Sequence, residues 1–195
     1  MGHLGPDDRP YDVEEQERLA RALFELTAEI SVSPALRLDV PTLLGWHRRL
    51  SAGIGRMHPG AFRETDITFG SWYGIVPALI PDRVQVLLSD IGLQIETFEQ
   101  ERPFAGAQEQ LSTVIRIGCQ LHLELIRIHP FADGNGRLAR LAQNWTHRRF
   151  GLALVSFPER KAYLSALNRA LYTNHLELLE TLTLLSMTPS SRQTD

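Results

Sequence analysis

Residues 111–145 read LSTVIRIGCQLHLELIRIHPFADGNGRLARLAQNW, and the organisation of the chain can be worked outward from this stretch. Leu111, Val114, Ile115, Gly118, Leu121 and Leu125 recur on one helical face, which predicts a long amphipathic helix with a single buried stripe. It runs into Ile128 and stops at His129-Pro130, because a residue before proline is pushed out of the helical region. A new helix is expected after Gly134-Asn135-Gly136, with Leu138, Leu141, Ala142 and Trp145 turned inward. The chemistry-bearing residues fall in the turn between these two helices.

The same periodicity organises the rest of the chain. Leu19, Leu23 and Leu26 mark a helix over about Val13 to Ile30. A second follows Asp39 and Pro41, with Leu43, Leu44, His47 and Leu50 on one face, and ends at Gly53/Gly55. A third starts at Pro81-Asp82, turns Val84, Leu87, Leu88, Ile91 and Ile95 inward, and closes before Pro103. Further helices are predicted from Pro158 through Leu171 and from Leu176 to Leu185. Only Ile67-Thr68-Phe69 and Trp72-Tyr73-Gly74-Ile75 break the rhythm: β-branched and aromatic residues around Gly70-Ser71 predict a short β-hairpin. The expected fold class is all-α, a helical bundle with one exposed hairpin.

With 195 residues, 43% of them hydrophobic and 22% charged, the chain is long enough for one domain with its own core. A net charge of −3, spread over both signs, gives no nucleic-acid footprint and no attraction to an anionic membrane, so neither is expected as a partner. The single cysteine, Cys119, lies among apolar residues and reads as a small core side chain of a cytoplasmic protein. The first ten residues are polar and broken by Gly and Pro, unlike a secretory signal; export by a specialised secretion machine is left open. Residues 188–195 are Ser/Thr/Pro-rich and expected to fray.

Within His129-Pro130-Phe131-Ala132-Asp133-Gly134-Asn135-Gly136-Arg137-Leu138-Ala139-Arg140 stand a histidine, a carboxylate, a glycine-flanked asparagine and two arginines. The glycines permit left-handed torsions, so consecutive amides can converge on an anion. They lead into a helix N-terminus whose free N–H groups favour phosphate. Arg137, Arg140 and Asn144 share the face opposite the apolar one, and two guanidinium forks one turn apart suit a chain of phosphates. Asp133 is placed to hold a hard cation such as Mg²⁺. His129, with a reference pKa of about 6.5, can accept a proton at neutral pH. Together these residues describe phosphoryl or nucleotidyl transfer from a triphosphate. The glycines imitate a dinucleotide fingerprint, but a helix precedes them where that pattern requires a strand. A Walker-type Gly-Lys-Ser/Thr is absent. Asp-Gly-Asn-Gly alone would read as an ordinary turn, and a transition metal on His122, His129 and Asp133 is less suited than Mg²⁺ to a phosphate nest.

The run resembles the Fic-domain signature, His-Pro-Phe-x-Asp/Glu-Gly-Asn-Gly-Arg-x-x-Arg, at all nine fixed positions. Gly60-Ala-Phe-Arg63 before the hairpin is similar to the Fic segment that leads into the target-docking flap, and Arg160-Lys-Ala-Tyr163 to its C-terminal part. The resemblance covers roughly residues 40–187. It implies a Fic domain over 39–187, after an N-terminal segment with a helix (1–38) and before a flexible tail (188–195). It implies a protein adenylyltransferase, with ATP as co-substrate and Mg²⁺ as cofactor, acting on a Ser, Thr or Tyr hydroxyl of a target protein. His129 would be the base. Phe131 would anchor the loop, and Asp133 would hold Mg²⁺. Gly134, Asn135 and Gly136 would stabilise α-phosphate charge, while Arg137 and Arg140 would grip the outer phosphates. The flap, about Thr65 to Ile75 and centred on Thr68, Phe69, Gly70, Ser71 and Trp72, would align the target by strand pairing.

Many Fic proteins carry an inhibitory Ser/Thr-x-x-x-Glu-Gly/Asn. Here Thr97 to Glu101 is followed by Arg102, and Thr173 to Glu177 by Leu178, so no built-in inhibitory helix is expected. Either a separate small antitoxin supplies a glutamate to Arg140, or the chain acts unrestrained as a toxin or effector. The alternatives are a Fic-fold transferase using another nucleotide or a phosphate donor, and a nucleotide-binding module without turnover. Gly136, where Doc kinases carry Lys, favours AMP transfer over phosphorylation, and the intact His129 favours turnover. His122 reads as a hydrogen-bonded structural histidine before a site residue. Tyr163 and Asn168 could line a base pocket or simply pack.

Overall fold

The structure, a computed structural model, describes residues 9–33 and 37–187. The expected frayed tail lies outside the described residues, as do the first eight positions. Seven helices and a two-stranded hairpin are found among the described residues: α1 (Val13–Val32), α2 (Val40–Leu50), β1 (Thr68–Phe69), β2 (Trp72–Tyr73), α3 (Ile80–Glu101), α4 (Ala107–Ile128), α5 (Asn135–Arg149), α6 (Arg160–Thr173) and α7 (Glu177–Leu185). The fold is all-α with a small antiparallel hairpin, as the periodicity predicts.

Local signals set the element boundaries. Asp12 caps α1 in a reciprocal box with Glu15, each side chain taking the other's backbone N–H, which satisfies two otherwise orphaned donors. Asp39 accepts the Thr42 N–H at 2.9 Å and Pro41 sits in the first turn of α2. α6 starts at Arg160 rather than at Pro158, because Pro158 and Glu159 form the entry turn.

α4 is the central helix. It packs chiefly on α5 and is flanked by α3, α6 and α7, while α1 lies across α5 and α2. Leu121, Leu138 and Leu141 are fully buried where α4 meets α5, and Leu26 and Ile30 extend the same core beneath α1. The turn between α4 and α5 therefore leaves the middle of the bundle, and its geometry is set from several sides.

Candidate active site

The turn begins at His129, which takes a left-handed φ of 50° and donates its N–H to the Leu125 carbonyl at 3.0 Å. Phe131 then dives inward. It is wholly buried, stacked on His47 at 3.9 Å and 14° and tilted against Phe62 at 5.6 Å. The anchoring role expected of Phe131 has this burial behind it. Asn135 cinches the turn around it, accepting the Phe131 N–H at 2.9 Å and donating to the Phe131 carbonyl at 2.8 Å. The Asn135 carboxamide thus closes the loop on itself with its oxygen and one of its two N–H groups.

His47 fixes the same turn from α2. Its Nδ1 accepts the Gly60 N–H at 3.0 Å, so Nε2 carries the proton and donates to the Asp133 carbonyl at 3.1 Å. The sequence placed His47 on the inward face of α2 without assigning it this task. Gly134 follows with φ 84°, and a Cβ there would come within 3.1 Å of the Met57 methyl, so a side chain is excluded by torsion and space alike. Gly134 is also the N-cap of α5 and offers no side chain. The first intrahelical bond is Leu138 N–H to the Gly134 carbonyl. Among the described residues no acceptor claims the N–H groups of Asn135, Gly136 and Arg137 at the start of the helix, the arrangement that favours an anion.

Arg137 and Arg140 rise from the first turns of α5, both half-buried. Among the described residues neither pairs with a carboxylate; instead each guanidinium lies over an aromatic ring, Arg137 over Tyr11 at 5.5 Å and Arg140 over Tyr163 at 5.6 Å. Asn144, two turns along the same helix, is buried. Its carboxamide accepts the Val155 N–H at 2.7 Å and donates to the Val155 carbonyl at 3.2 Å, pinning the segment after α5. Both sides of α5 are covered, so a polar side chain there need not face solvent.

The imidazole of His129 is oriented at two points. Nδ1 faces the Ile126 carbonyl at 3.1 Å; a carbonyl only accepts, so Nδ1 is protonated and the lone pair resides on Nε2. Phe69 of β1 stacks on the ring at 4.0 Å and 10°. Burial pushes the imidazole down to about 4, not the unperturbed value assumed from sequence. The neutral form therefore prevails at physiological pH, and the group is a weaker base than a free histidine.

Arg63 joins the hairpin to this turn. Buried to 4% exposure, its guanidinium donates to the carbonyls of His129 (2.7 Å), Thr65 (2.7 Å), Ile75 (2.6 Å) and Ile128 (3.4 Å), while its backbone N–H donates to Pro130 at 2.9 Å. Burial lowers its pKa, but five donors on one fork give it the partners that a buried cation needs. The hairpin pairs Thr68 with Tyr73 and Phe69 with Trp72. Trp72 leans on Tyr172 of α6 at 4.4 Å and Ser71 meets the Tyr172 hydroxyl at 3.3 Å. Thr68, Gly70 and Ser71 are exposed. Trp72 thus braces the hairpin, whereas Tyr73 is 81% exposed.

Asp133 is half-buried and held at both oxygens: Oδ1 accepts the Gly134 N–H and Oδ2 accepts the Tyr11 hydroxyl. Tyr11 is the residue that sequence reasoning missed. It lies just before α1, and the only trace of it in the sequence is the Asp12–Glu15 box that fixes the helix start beside it. Its burial, with the bond to Asp133 second, raises the phenol far above its usual range.

Behind the site a buried relay runs from α6 to α7. Tyr163 donates to His122 Nε2 at 2.9 Å, and His122 Nδ1 donates to the Gln143 carbonyl oxygen at 2.7 Å. Gln143 in turn donates to Thr183 at 2.9 Å. With both nitrogens engaged, His122 is structural and does not join His129 as a ligand. Asn168 is exposed and Cys119 buried. No group of three His, Cys, Asp or Glu able to hold a metal occurs among the described residues, and no helix among them is long and apolar enough to cross a membrane.

A sequence-family model described as Fic/DOC family matches residues 37–146, more than half of the chain. The chain belongs to the Fic/DOC family. Among its Fic relatives, a protein of Nematostella vectensis named protein adenylyltransferase Fic is 28% identical over 138 residues, covering 68% of this chain and 29% of that protein. The chain thus spans less than a third of the length of such relatives. In overall fold it is similar to a Fic domain containing signaling protein from Bacteroides thetaiotaomicron, with a TM-score of 0.67 at 20% identity over 89% of this chain and 66% of the other. It is also similar to the Bartonella tribocorum effector BepC with bound AMPPNP, with a TM-score of 0.58 at 18% identity over 91% and 88%. These likenesses establish the Fic fold. The family model begins at residue 37, so Tyr11 and α1 lie outside it.

Proposed function

We propose that this chain transfers AMP from ATP to a Ser, Thr or Tyr hydroxyl of a target protein. One observation carries the reading: the Nε2 lone pair of His129 stands at one end of the motif turn, and unclaimed backbone N–H groups and two guanidiniums without acidic partners stand at the other. Adenylyltransferase names among the relatives and the nucleotide analogue bound to a structural neighbour support the choice of ATP.

In this reading the triphosphate lies along the start of α5. Arg137 and Arg140 hold its outer phosphates, and the N–H groups of residues 135–137 face the charge that develops during transfer. His129 Nε2 takes the proton of the target hydroxyl as its oxygen bonds to the α-phosphorus. The bond to the bridging oxygen breaks, and pyrophosphate leaves. Asp133 retains one lone pair on each oxygen beyond its hydrogen bonds, which fits a hard cation that takes its remaining ligands from phosphate and water. Such an ion would neutralise phosphate charge and is the cofactor this carboxylate would hold. The hairpin, by strand pairing along an edge, would hold the target chain beside Phe69 and His129.

A separate small protein offering a glutamate to Arg140 fits the same geometry, since no acidic residue among those described engages that guanidinium. The same geometry also fits a chain that acts unrestrained as a toxin or effector.

The test is incubation of the purified protein with Mg²⁺ and either α- or γ-labelled ATP, alone and with cell lysate, followed by a denaturing gel. Protein labelling from the α-position that is lost in His129→Ala is expected. Labelling from the γ-position alone would mean kinase chemistry, and equal labelling by His129→Ala would remove the base assignment.

A further inference from the structure

We infer that Tyr11, from the segment preceding α1, is a positioning residue of the nucleotide site and sets both the carboxylate offered to the cation and the arginine beside it. The inference rests on the nucleotide-transfer reading above and extends the site beyond the segment the family model covers.

Three contacts converge on this side chain. Its hydroxyl donates to Asp133 Oδ2, its ring lies 5.5 Å under the Arg137 guanidinium, and the Arg56 guanidinium lies 4.7 Å from the same ring. A ring in contact with two guanidiniums is attracted to both by its quadrupole, so a displaced ring would loosen Arg137 together with Asp133. The segment is itself clamped. Arg56 pairs with Glu15 at 2.7 Å, both side chains being nearly buried, and donates to the Arg9 carbonyl at 3.0 Å. Gln16 donates to the Tyr11 carbonyl at 2.7 Å, and the Asp12–Glu15 box fixes the first turn of α1. Only 5% of Tyr11 is exposed. A side chain held this firmly is built into the site and is not a plug resting over it.

The chemistry agrees. The Asp133 main chain is fixed by His47, Oδ1 by Gly134 and Oδ2 by Tyr11, leaving the carboxylate no free rotation. Groups that hydrogen-bond a ligating carboxylate typically set metal affinity by ten- to a hundred-fold, about ten-fold at the weak end. An inhibitory role for Tyr11 would require its hydroxyl to leave before the cation binds, and the removal of that hydroxyl would then tighten binding. The two roles predict opposite signs.

The deciding measurement is calorimetric binding of ATP with and without Mg²⁺ to wild type, Tyr11→Phe and Asp133→Ala, with the melting temperature of each. Tyr11→Phe keeps the ring and the fold. It should weaken Mg²⁺-dependent ATP binding by about ten-fold, leave metal-free ATP binding within about two-fold, and keep a cooperative melting transition only a few degrees below that of wild type. Tyr11→Leu should in addition weaken metal-free binding, through Arg137. Unchanged or tighter Mg²⁺-dependent binding in Tyr11→Phe would overturn the inference, and so would equal losses with and without the metal. Absence of ATP binding by wild type, or its indifference to Asp133→Ala, would instead defeat the nucleotide-site reading, and the inference with it.

Discussion

His147 is fully buried on α5, and neither ring nitrogen has a hydrogen-bond partner among the described residues. Burial alone pushes it down to about 4, from a free value of 6.5. The folded value lies below the unfolded one, so between these pH values the unfolded chain binds more protons, and stability present above pH 6.5 is lost as the pH falls toward 4. At about pH 5 the unfolded imidazole is almost wholly charged and the folded one almost wholly neutral, which removes about 2 kcal/mol relative to neutral pH. His47, His122 and His129 are likewise pushed down to about 4, chiefly by burial, so the wild-type protein should become acid-labile well before its carboxylates protonate. Replacing His147 with Leu, close in volume, removes one quarter of this effect and no hydrogen bond. Urea unfolding at about pH 7.5 should find His147→Leu at least as stable as wild type, because two unsatisfied polar atoms are gone. At about pH 5 its midpoint should exceed that of wild type by roughly 1 M, for a slope of about 2 kcal/mol per M. Midpoints that fall in parallel between the two pH values would refute the reasoning, since His147 would then titrate as it does in the unfolded chain.

Three further outcomes are expected. Phe131→Ala empties the contact between His47 and Phe62 and should cost about 3–5 kcal/mol, read as a fall in melting temperature of roughly 10 °C or more. Arg63→Lys cannot reach four carbonyls with one ammonium, so label transfer should drop at least about ten-fold while nucleotide affinity measured by calorimetry stays near wild type. Arg140→Ala should weaken ATP and ADP binding by about ten-fold or more and AMP binding little, a contrast that equilibrium binding of the three nucleotides would check.

The helices were legible because each carries its own apolar stripe, and the hairpin because Gly70-Ser71 separates two β-prone pairs. The motif turn was legible because its residue types are unusual in combination. The burial of Asn144 was not legible, because a polar residue opposite an apolar stripe normally faces water, whereas α5 packs on both α1 and α4. The Asn135 clamp on Phe131 left no local trace either: a loop that buries a phenylalanine needs its own backbone groups satisfied, and the nearest carboxamide meets that need. Tyr11 left almost no trace, since its partner Asp133 is 122 residues away and nothing local records a contact that forms only when α1 crosses α5. The depressed basicity of His129 was equally invisible, because burial is a property of the assembled bundle.

Arg63 has a consequence for how a target is chosen. One guanidinium holds the carbonyls at both feet of the hairpin and those of Ile128 and His129, so the edge proposed to dock a target and the proposed base are fixed to one another. A strand advances about 3.3 Å per residue and alternates its side chains. A target chain laid along that edge, as proposed, would present every second residue to His129 and turn the others away. Sliding the hydroxyl-bearing residue by one position should abolish its modification and sliding it by two should carry it past the base, so substrates would be sorted by the phase of the hydroxyl along the strand more than by the identity of its neighbours.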